Sequence, residues 1–578
     1  MDAPPLELHL GAYRRPAEAA LAALAGESVI ERIWARDHRL WSLEPTEIVD
    51  RLGWLDGIDG MPAVVPGYRS LAQGCRADGL REALLLGMGG SSLAPELLSS
   101  AFDAEADCLA LRILDSTDPA AIRDVEATLD LERCLFVVAS KSGTTVETMA
   151  LARYFFGQLA ERRGAEAAAR QFLAITDPGS PLEDEARQLG FRAVAHGDPD
   201  IGGRYSALSP FGVLPATLLG LDVDRLLEAA ATMAASARAE AGRIADGPIA
   251  LEANPAAVLG ACLGSLARLG RDKLTLLLPP RFARLGDWIE QLVAESTGKS
   301  GQGILPIVGE AVWPARRYAS DRLFVQLVEA QPQPGEDALR DALIGAGQPL
   351  IRLRLAEPDA LGAQFLLWEM ATAVAAWQLR VNPFDQPDVE AAKRQARAAV
   401  EAYRAQGRLE QPAPRLVGED GTAAFGGNLA GRSPAEAFWR FASPGRSVAG
   451  GYLAIQAWLP RRPATDEALA CLRDAVTLAT GQAVTVGYGP RFLHSTGQLH
   501  KGDAGRGRFL QLSADPGIEI EIPDAFGARE CGLSFGILER AQAAGDAAAL
   551  EAAGRPLMRL HLAGPPEVAI RRLALQRL

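Results

Sequence analysis

Short apolar runs alternate with longer stretches of helical period through most of the chain. From Ala83 onward, apolar runs at 83–86, 111–114, 135–139, 172–176 and 192–196 are separated by segments whose apolar residues recur every three or four positions. A strand that is apolar throughout is buried on both faces, so this alternation predicts a parallel sheet flanked by helices. A second set occupies 274–278, 304–308, 324–327 and 350–353 and ends in a helical stretch from Leu361 to Leu379. It predicts a second sheet of the same kind, with no residue-level repeat between the two sets. Residues 1–75 read as amphipathic helices, including 16–24 and 27–36, that form a lid or packing layer. After about residue 406 a third region carries a strand candidate at 452–458, a helix at 465–479 and a Gly-rich loop at 487–505. Linker signals stand at 331–335 and 411–414. The expected fold class is α/β, divided into 1–75, 76–240, 241–405 and 406–578.

A chain of 578 residues exceeds one hydrophobic core, and 48% hydrophobic with 23% charged residues is an ordinary globular balance. The net charge of −13, with no basic run longer than Arg162-Arg163 or Arg461-Arg462, argues against a nucleic-acid partner. The same field repels a phosphorylated metabolite, so any phosphate site must be built locally from backbone N–H groups and a few placed cations. Cys75, Cys108, Cys134, Cys262, Cys471 and Cys531 lie far apart, without zinc-ligand spacing, which suits a reducing compartment and predicts no metal site. The opening Met-Asp-Ala-Pro-Pro lacks the basic and apolar regions of a leader, and the Ala-rich stretch from Gly247 to Gly270 is interrupted by Glu252, Asn254 and Arg268. A cytoplasmic chain without a membrane span is expected. Only five of the 59 basic residues are lysines, and four of them, Lys141, Lys299, Lys393 and Lys501, fall in the segments below. An ammonium is a compact charge with a movable pKa, so a site that needs one cannot simply use Arg.

Six segments carry candidate chemistry. Gly87-Met-Gly89-Gly90-Ser91-Ser92 follows a buried strand and opens a helix, a place where backbone approaches a ligand closely and N–H groups are unpaired. Ser140-Lys141-Ser142-Gly143-Thr144-Thr145-Val-Glu147-Thr148 sets five hydroxyls and a Lys at the next helix start. A Ser/Thr N-cap accounts for one or two hydroxyls, whereas a phosphate pocket accounts for all of them with the Lys. Gly202-Gly203-Arg204-Tyr205-Ser206 places a cation after two glycines, either a surface turn or a group that stabilises a reacting oxygen. Asp287 is expected to N-cap a helix that Glu295 closes before Ser296-Thr-Gly298-Lys299, leaving Glu295 either a solvated helix-end residue or a desolvated base. Asn382-Pro-Phe-Asp385-Gln386-Pro-Asp-Val389-Glu390-Ala-Ala-Lys393 leads into a helix with Lys393 about one turn in. Later, Tyr488 to Gly502 holds His494 and His500, two of only six histidines.

Taken together these segments resemble the phosphoglucose isomerase family, which is built from two sugar-isomerase (SIS) domains. Gly-Met-Gly-Gly-Ser, Ser-Lys-Ser-Gly-Thr-Thr-x-Glu-Thr, Gly-Gly-Arg-Tyr-Ser, Ala-Glu-Ser-Thr-Gly-Lys and Asn-Pro-Phe-Asp-Gln-Pro-x-Val-Glu-x-x-Lys match in type and order over most of residues 80 to 400. The resemblance implies SIS-type domains at 76–240 and 241–405, and sugar phosphate held by Ser140, Lys141, Ser142 and Thr145, with Gly90 and Ser91 in the substrate loop. It further implies Glu295 as the base, Arg204 beside the intermediate, and Lys393 with a His in ring opening. Aldose-ketose isomerisation of glucose 6-phosphate and fructose 6-phosphate needs one base and one cation beside a cis-enediol, and no cofactor.

The family's His segment normally lies between the Glu and Lys motifs, yet no His occurs between 295 and 393. The His494 segment resembles its counterpart in the isomerase half of bifunctional transaldolase/phosphoglucose isomerase proteins, so His494 is the ring-opening candidate and His500 the alternative. No transaldolase activity is expected. Dual action on mannose 6-phosphate, or a non-catalytic SIS sensor, are the competing expectations; a homodimer is common in the family.

Overall fold

The computed structural model describes residues 6–102, 108–239, 254–331, 333–355, 357–409, 412–427, 429–443 and 450–576. The opening five residues, the 240/241 division, Gly247 and Glu252 of the Ala-rich stretch, and Pro332 and Gln411 of the linker signals lie outside them.

The first sheet runs in the order Ala110–Leu114, Glu82–Gly87, Cys134–Ala139, Phe172–Thr176, Ala193–His196, with every pair parallel. Cys134–Ala139 is buried at all six positions, as its uninterrupted apolar run requires. The second sheet orders Leu350–Leu355, Arg322–Glu329, Lys273–Leu277 and Leu305–Ile307 in parallel. Both sheets carry helices on their faces, the α/β arrangement expected from the alternation of runs. Between them the Leu361–Leu379 helix is buried at every position except Trp377. Its few polar residues, Gln364, Glu369, Thr372 and Gln378, are themselves buried, so it gives no polar face to water and sits inside the largest core, packed against Val223–Ala237 and Pro255–Arg268.

Three expectations need correction. Residues 6–9 are not part of a helical layer: Leu6–His9 is a strand, antiparallel to Leu350–Leu355 at the edge of the second sheet, with Leu6 and Leu8 buried. Four residues of alternation are too short to identify alone; a sheet edge more than 300 residues away decides them. Asp287 does not N-cap its helix, which spans Ala283–Thr297 and starts directly after a turn at Pro280–Phe282. The prolines at 279 and 280 set the entry, so Asp287 lies one turn inside, paired with Arg284 and Arg491, and Glu295 stands in the last turn instead of closing the helix. The Gly-rich loop at 487–505 contains two short helices, Arg491–His494 and Gly497–Gly502.

The third region folds around a sheet of its own, ordered Leu416–Val417, Ala423–Phe425, Leu557–Leu562, Gly507–Ala514, Tyr452–Trp458, Ala483–Tyr488. The last four are mutually parallel, and only Tyr452–Trp458 was legible as a run. Among the described residues no helix is long and apolar enough to cross a membrane.

Candidate active site

At the carboxyl ends of the first sheet's strands, two loops prepare a concave surface. After Glu82–Gly87 the chain turns through Gly89 at φ +54° and Gly90. A Cβ on Gly90 would lie 1.9 Å from the carbonyl oxygen of Gly203, so only glycine lets this loop touch the Gly202-Gly203-Arg204 turn. After Cys134–Ala139 the hydroxyl-rich loop leads into the Val146–Arg163 helix with Thr145 at the N-cap position. Ser140 is buried and its hydroxyl donates to Thr145 Oγ1 at 3.0 Å, while Ser142 and Thr144 pair at 2.9 Å. The Lys141 ammonium is tied to the Asp177 carboxylate and donates to the Asp198 carbonyl at 3.1 Å. Burial pushes the Asp177 carboxyl up in spite of that cation.

Opposite this loop stand Glu295 and Arg204, 9% and 4% exposed, neither of them the solvated surface group that position in sequence allows. Arg204 Nη1 lies 3.1 Å from Glu295 Oε1, and Arg204 Nη2 donates to the Asp385 carbonyl at 2.9 Å and to Gln386 Oε1 at 3.2 Å. The close Nη1 contact is not aligned for a hydrogen bond, so a buried donor is left without an acceptor. Gln291, one turn before Glu295, donates to Glu295 Oε2 at 3.2 Å and to the His494 carbonyl at 2.7 Å, and its own Oε1 has no partner. Beneath them Lys299 is held by the Asp385 carbonyl at 2.6 Å, its ammonium pushed down to about 8 by burial and then by the Arg204 charge.

His494 arrives from the third region. Its Nε2 lies 3.0 Å from Glu147 Oε1, and Gln542, from the Phe535–Ala552 helix, donates to the same oxygen at 2.7 Å while accepting from Thr117. Burial acts to raise the Glu147 carboxyl, but the charge and hydrogen bond of His494 prevail and hold it below its ordinary value. Lys393 lies on the Pro387–Gln406 helix, 2.8 Å from Glu390. That helix starts on Gln498, whose Oε1 accepts from the Asp388 N–H at 2.9 Å and whose Nε2 donates to the Gly298 carbonyl at 3.0 Å. The third region therefore fixes the ends of both helices that carry Glu295 and Lys393.

These groups line one cleft of about 390 Å³, which brings together Gly90, Ser91, Lys141, Ser142, Thr145, Arg204, Glu295, Lys393 and His494. Ser140 lies just below its surface, supporting Thr145. His500 lies elsewhere, buried between Phe492 and Phe509, where burial pushes its imidazole well below the usual range. Sequence reasoning missed Gln291, Asp177, Gln542 and the part of Glu147. Gln291 was recoverable from its four-residue spacing to Glu295 on one helix face. Nothing local marks Gln542.

Residues 69–302 match the family described as phosphoglucose isomerase. The chain is similar to the glucose-6-phosphate isomerase of Rubrobacter xylanophilus, 31% identical over 386 residues that cover 58% of this chain and 86% of that one. It is likewise similar to the glucose-6-phosphate isomerase of a Synechococcus species, 33% identical over 365 residues, 56% of this chain and 66% of that one. Among solved structures, a hypothetical protein from Thermus thermophilus superposes with a TM-score of 0.57 at 27% identity, covering 68% of this chain and 99% of that chain.

Proposed function

The chain belongs to the phosphoglucose isomerase family, and from that premise we propose that it interconverts glucose 6-phosphate and fructose 6-phosphate through a cis-enediol intermediate. The observation that carries this is the Glu295–Arg204 pair, set across a single cleft from a loop of hydroxyls and one ammonium. Ser142, Thr145 and Lys141 take the phosphate, at a helix start whose N–H groups favour an anion. Glu295 lifts the proton from carbon 2 and returns it at carbon 1, a transfer that needs no cofactor. Arg204, whose Nη1 has no hydrogen-bond acceptor, stabilises the charge that develops on the enediolate oxygens. His494, oriented by Glu147 as Gln542 holds that carboxylate, moves the ring proton, and Lys393 supports ring opening from the cleft rim.

Purified protein supplied with fructose 6-phosphate, with any glucose 6-phosphate oxidised by its dehydrogenase, tests the proposal beside chelator-treated and Glu295→Gln samples. Turnover that survives chelator and is lost in Glu295→Gln is expected. Turnover retained in that variant overturns the base assignment, and binding without turnover in the wild type overturns the isomerase. Mannose 6-phosphate in the same assay decides whether the shared enediolate is reached from the carbon 2 epimer.

A further inference from the structure

A second cavity, of about 510 Å³, lies in the third region and shares only the Pro387–Gln406 helix with the cleft. It opens at the carboxyl ends of Tyr452–Trp458, Gly507–Ala514 and Leu557–Leu562 and is walled by Pro387–Gln406 and Phe535–Ala552. In open parallel sheets ligands bind outside the carboxyl ends, where successive connections change direction. That point here is the gap between Tyr452–Trp458 and Gly507–Ala514: the chain leaves the first strand for Ala483–Tyr488 on one side and resumes on the other.

Three polar groups in this cavity have no answering partner. The Trp458 indole N–H is buried without an acceptor, on a side chain 2% exposed. Glu539, 7% exposed, has a carboxyl oxygen without a hydrogen bond, and burial, with Asp118 adding to it, pushes its carboxyl well above the usual range. Arg559 lies with its guanidinium 5.6 Å over the Phe425 ring and has no carboxylate within ion-pair distance among the described residues. Desolvated polar groups left this way cost free energy, and an apolar occupant would leave all three unsatisfied. A divalent cation is disfavoured by the Arg559 charge and by the burial that works against ionisation of Glu539. Of the remaining lining, seven positions are alanine and others are polar, among them Gln395, Arg408, Gln511, Asp515, Arg540 and His561, with room for a short carbon skeleton.

We propose that this cavity is a second ligand site, binding a small hydroxylated oxyanion whose phosphate or carboxylate head pairs with Arg559 and whose hydroxyls engage the Trp458 N–H and Glu539. The site is independent of the isomerase assignment. Its position also matters, because Trp458 packs on Gly489 and on Phe492 in the segment that carries His494.

Glycerol 3-phosphate and glycerate, which offer the same hydroxylated skeleton with either head, are titrated calorimetrically into the full-length protein, into Lys141→Ala, and into Arg559→Gln, Glu539→Gln and Trp458→Phe. Saturable binding of at least one probe is expected, unchanged in Lys141→Ala and weakened about tenfold or more in Arg559→Gln and Trp458→Phe. The probe that binds identifies the head group. No saturation of the wild type by either probe at millimolar concentration overturns the proposal without recourse to any variant. Binding that is indifferent to Arg559→Gln, or that disappears in Lys141→Ala, overturns it as well, since the probe then sits elsewhere or in the catalytic cleft.

Discussion

Replacing Glu147 by Gln keeps the shape of the side chain and removes the charge that faces His494. The pair is 3.0 Å long, the Glu147 side chain is 7% exposed, and the carboxyl is held below its ordinary value chiefly against the pull of burial. A hydrogen bond to a charged group is worth roughly 1.5–3 kcal/mol, so losing it where the imidazole must be oriented and charged corresponds to a fall of about 10- to 100-fold in kcat. Glu147 does not line the cleft, so KM for fructose 6-phosphate should change little. Steady-state kinetics at several pH values separate the two parameters. Gln542→Leu, which removes the amide donor to the same oxygen, should move kcat in the same direction by less. The sign of the stability effect also follows. A carboxyl with a depressed folded-state pKa contributes stability above its unfolded value of about 4.5, lost as pH falls through the lower folded-state value. Glu147→Gln should therefore be less stable than wild type near neutrality, with the gap closing in acid. An unchanged kcat, or a raised KM with kcat intact, would refute the reasoning.

Other perturbations separate binding, geometry and stability. Lys141→Ala should raise KM for fructose 6-phosphate about tenfold or more with a smaller change in kcat, as expected for a charge-assisted phosphate contact, and an unchanged KM would remove Lys141 from the phosphate site. Gly90→Ala forces a Cβ to 1.9 Å from the Gly203 carbonyl oxygen, so denaturant unfolding should show a loss above about 2 kcal/mol and kcat should fall as the Arg204 turn is displaced. Full activity and stability in this variant would mean the loops are free to part. Glu290 is pushed up to about 8 by burial, with Asp287 adding to it. The folded state keeps a proton that the unfolded chain sheds above about 4.5, so the stability tied to it is complete below that pH and lost as pH rises through about 8. Melting curves of Glu290→Gln should therefore gain on wild type by about 2 °C or more as pH goes from 5 to 9, and parallel curves would contradict the burial argument.

Much of the molecule is legible in one dimension because its determinants are local. Strands buried on both faces write themselves as uninterrupted apolar runs, so Cys134–Ala139 or Phe172–Thr176 can be placed without a partner, and the Leu361–Leu379 helix announces its central position by lacking a polar face. The hydroxyl-lysine loop and the glycine turn are likewise readable, since helix starts and close backbone approaches demand particular residues at fixed offsets. Leu6–His9 escapes because four alternating residues become a strand only beside Leu350–Leu355. The strands Ala483–Tyr488 and Leu557–Leu562 show the same limit, with half of each only partly buried and no unbroken apolar run.

The site divides along the same line. Sequence by itself singled out the candidate side chains: Lys141 among hydroxyls, Arg204 after two glycines, Glu295 on an apolar helix, Lys393 one turn into the next. Only the tertiary structure decided that Glu295 is desolvated against Arg204, that His494 and not His500 reaches the cleft, and that Gln498 and Gln542 hold the parts in place. The physical reason is range. Apolar periodicity and capping act within a few residues, whereas burial and the pairing of charges depend on atoms that 200 to 400 positions of chain bring together only when the cores close.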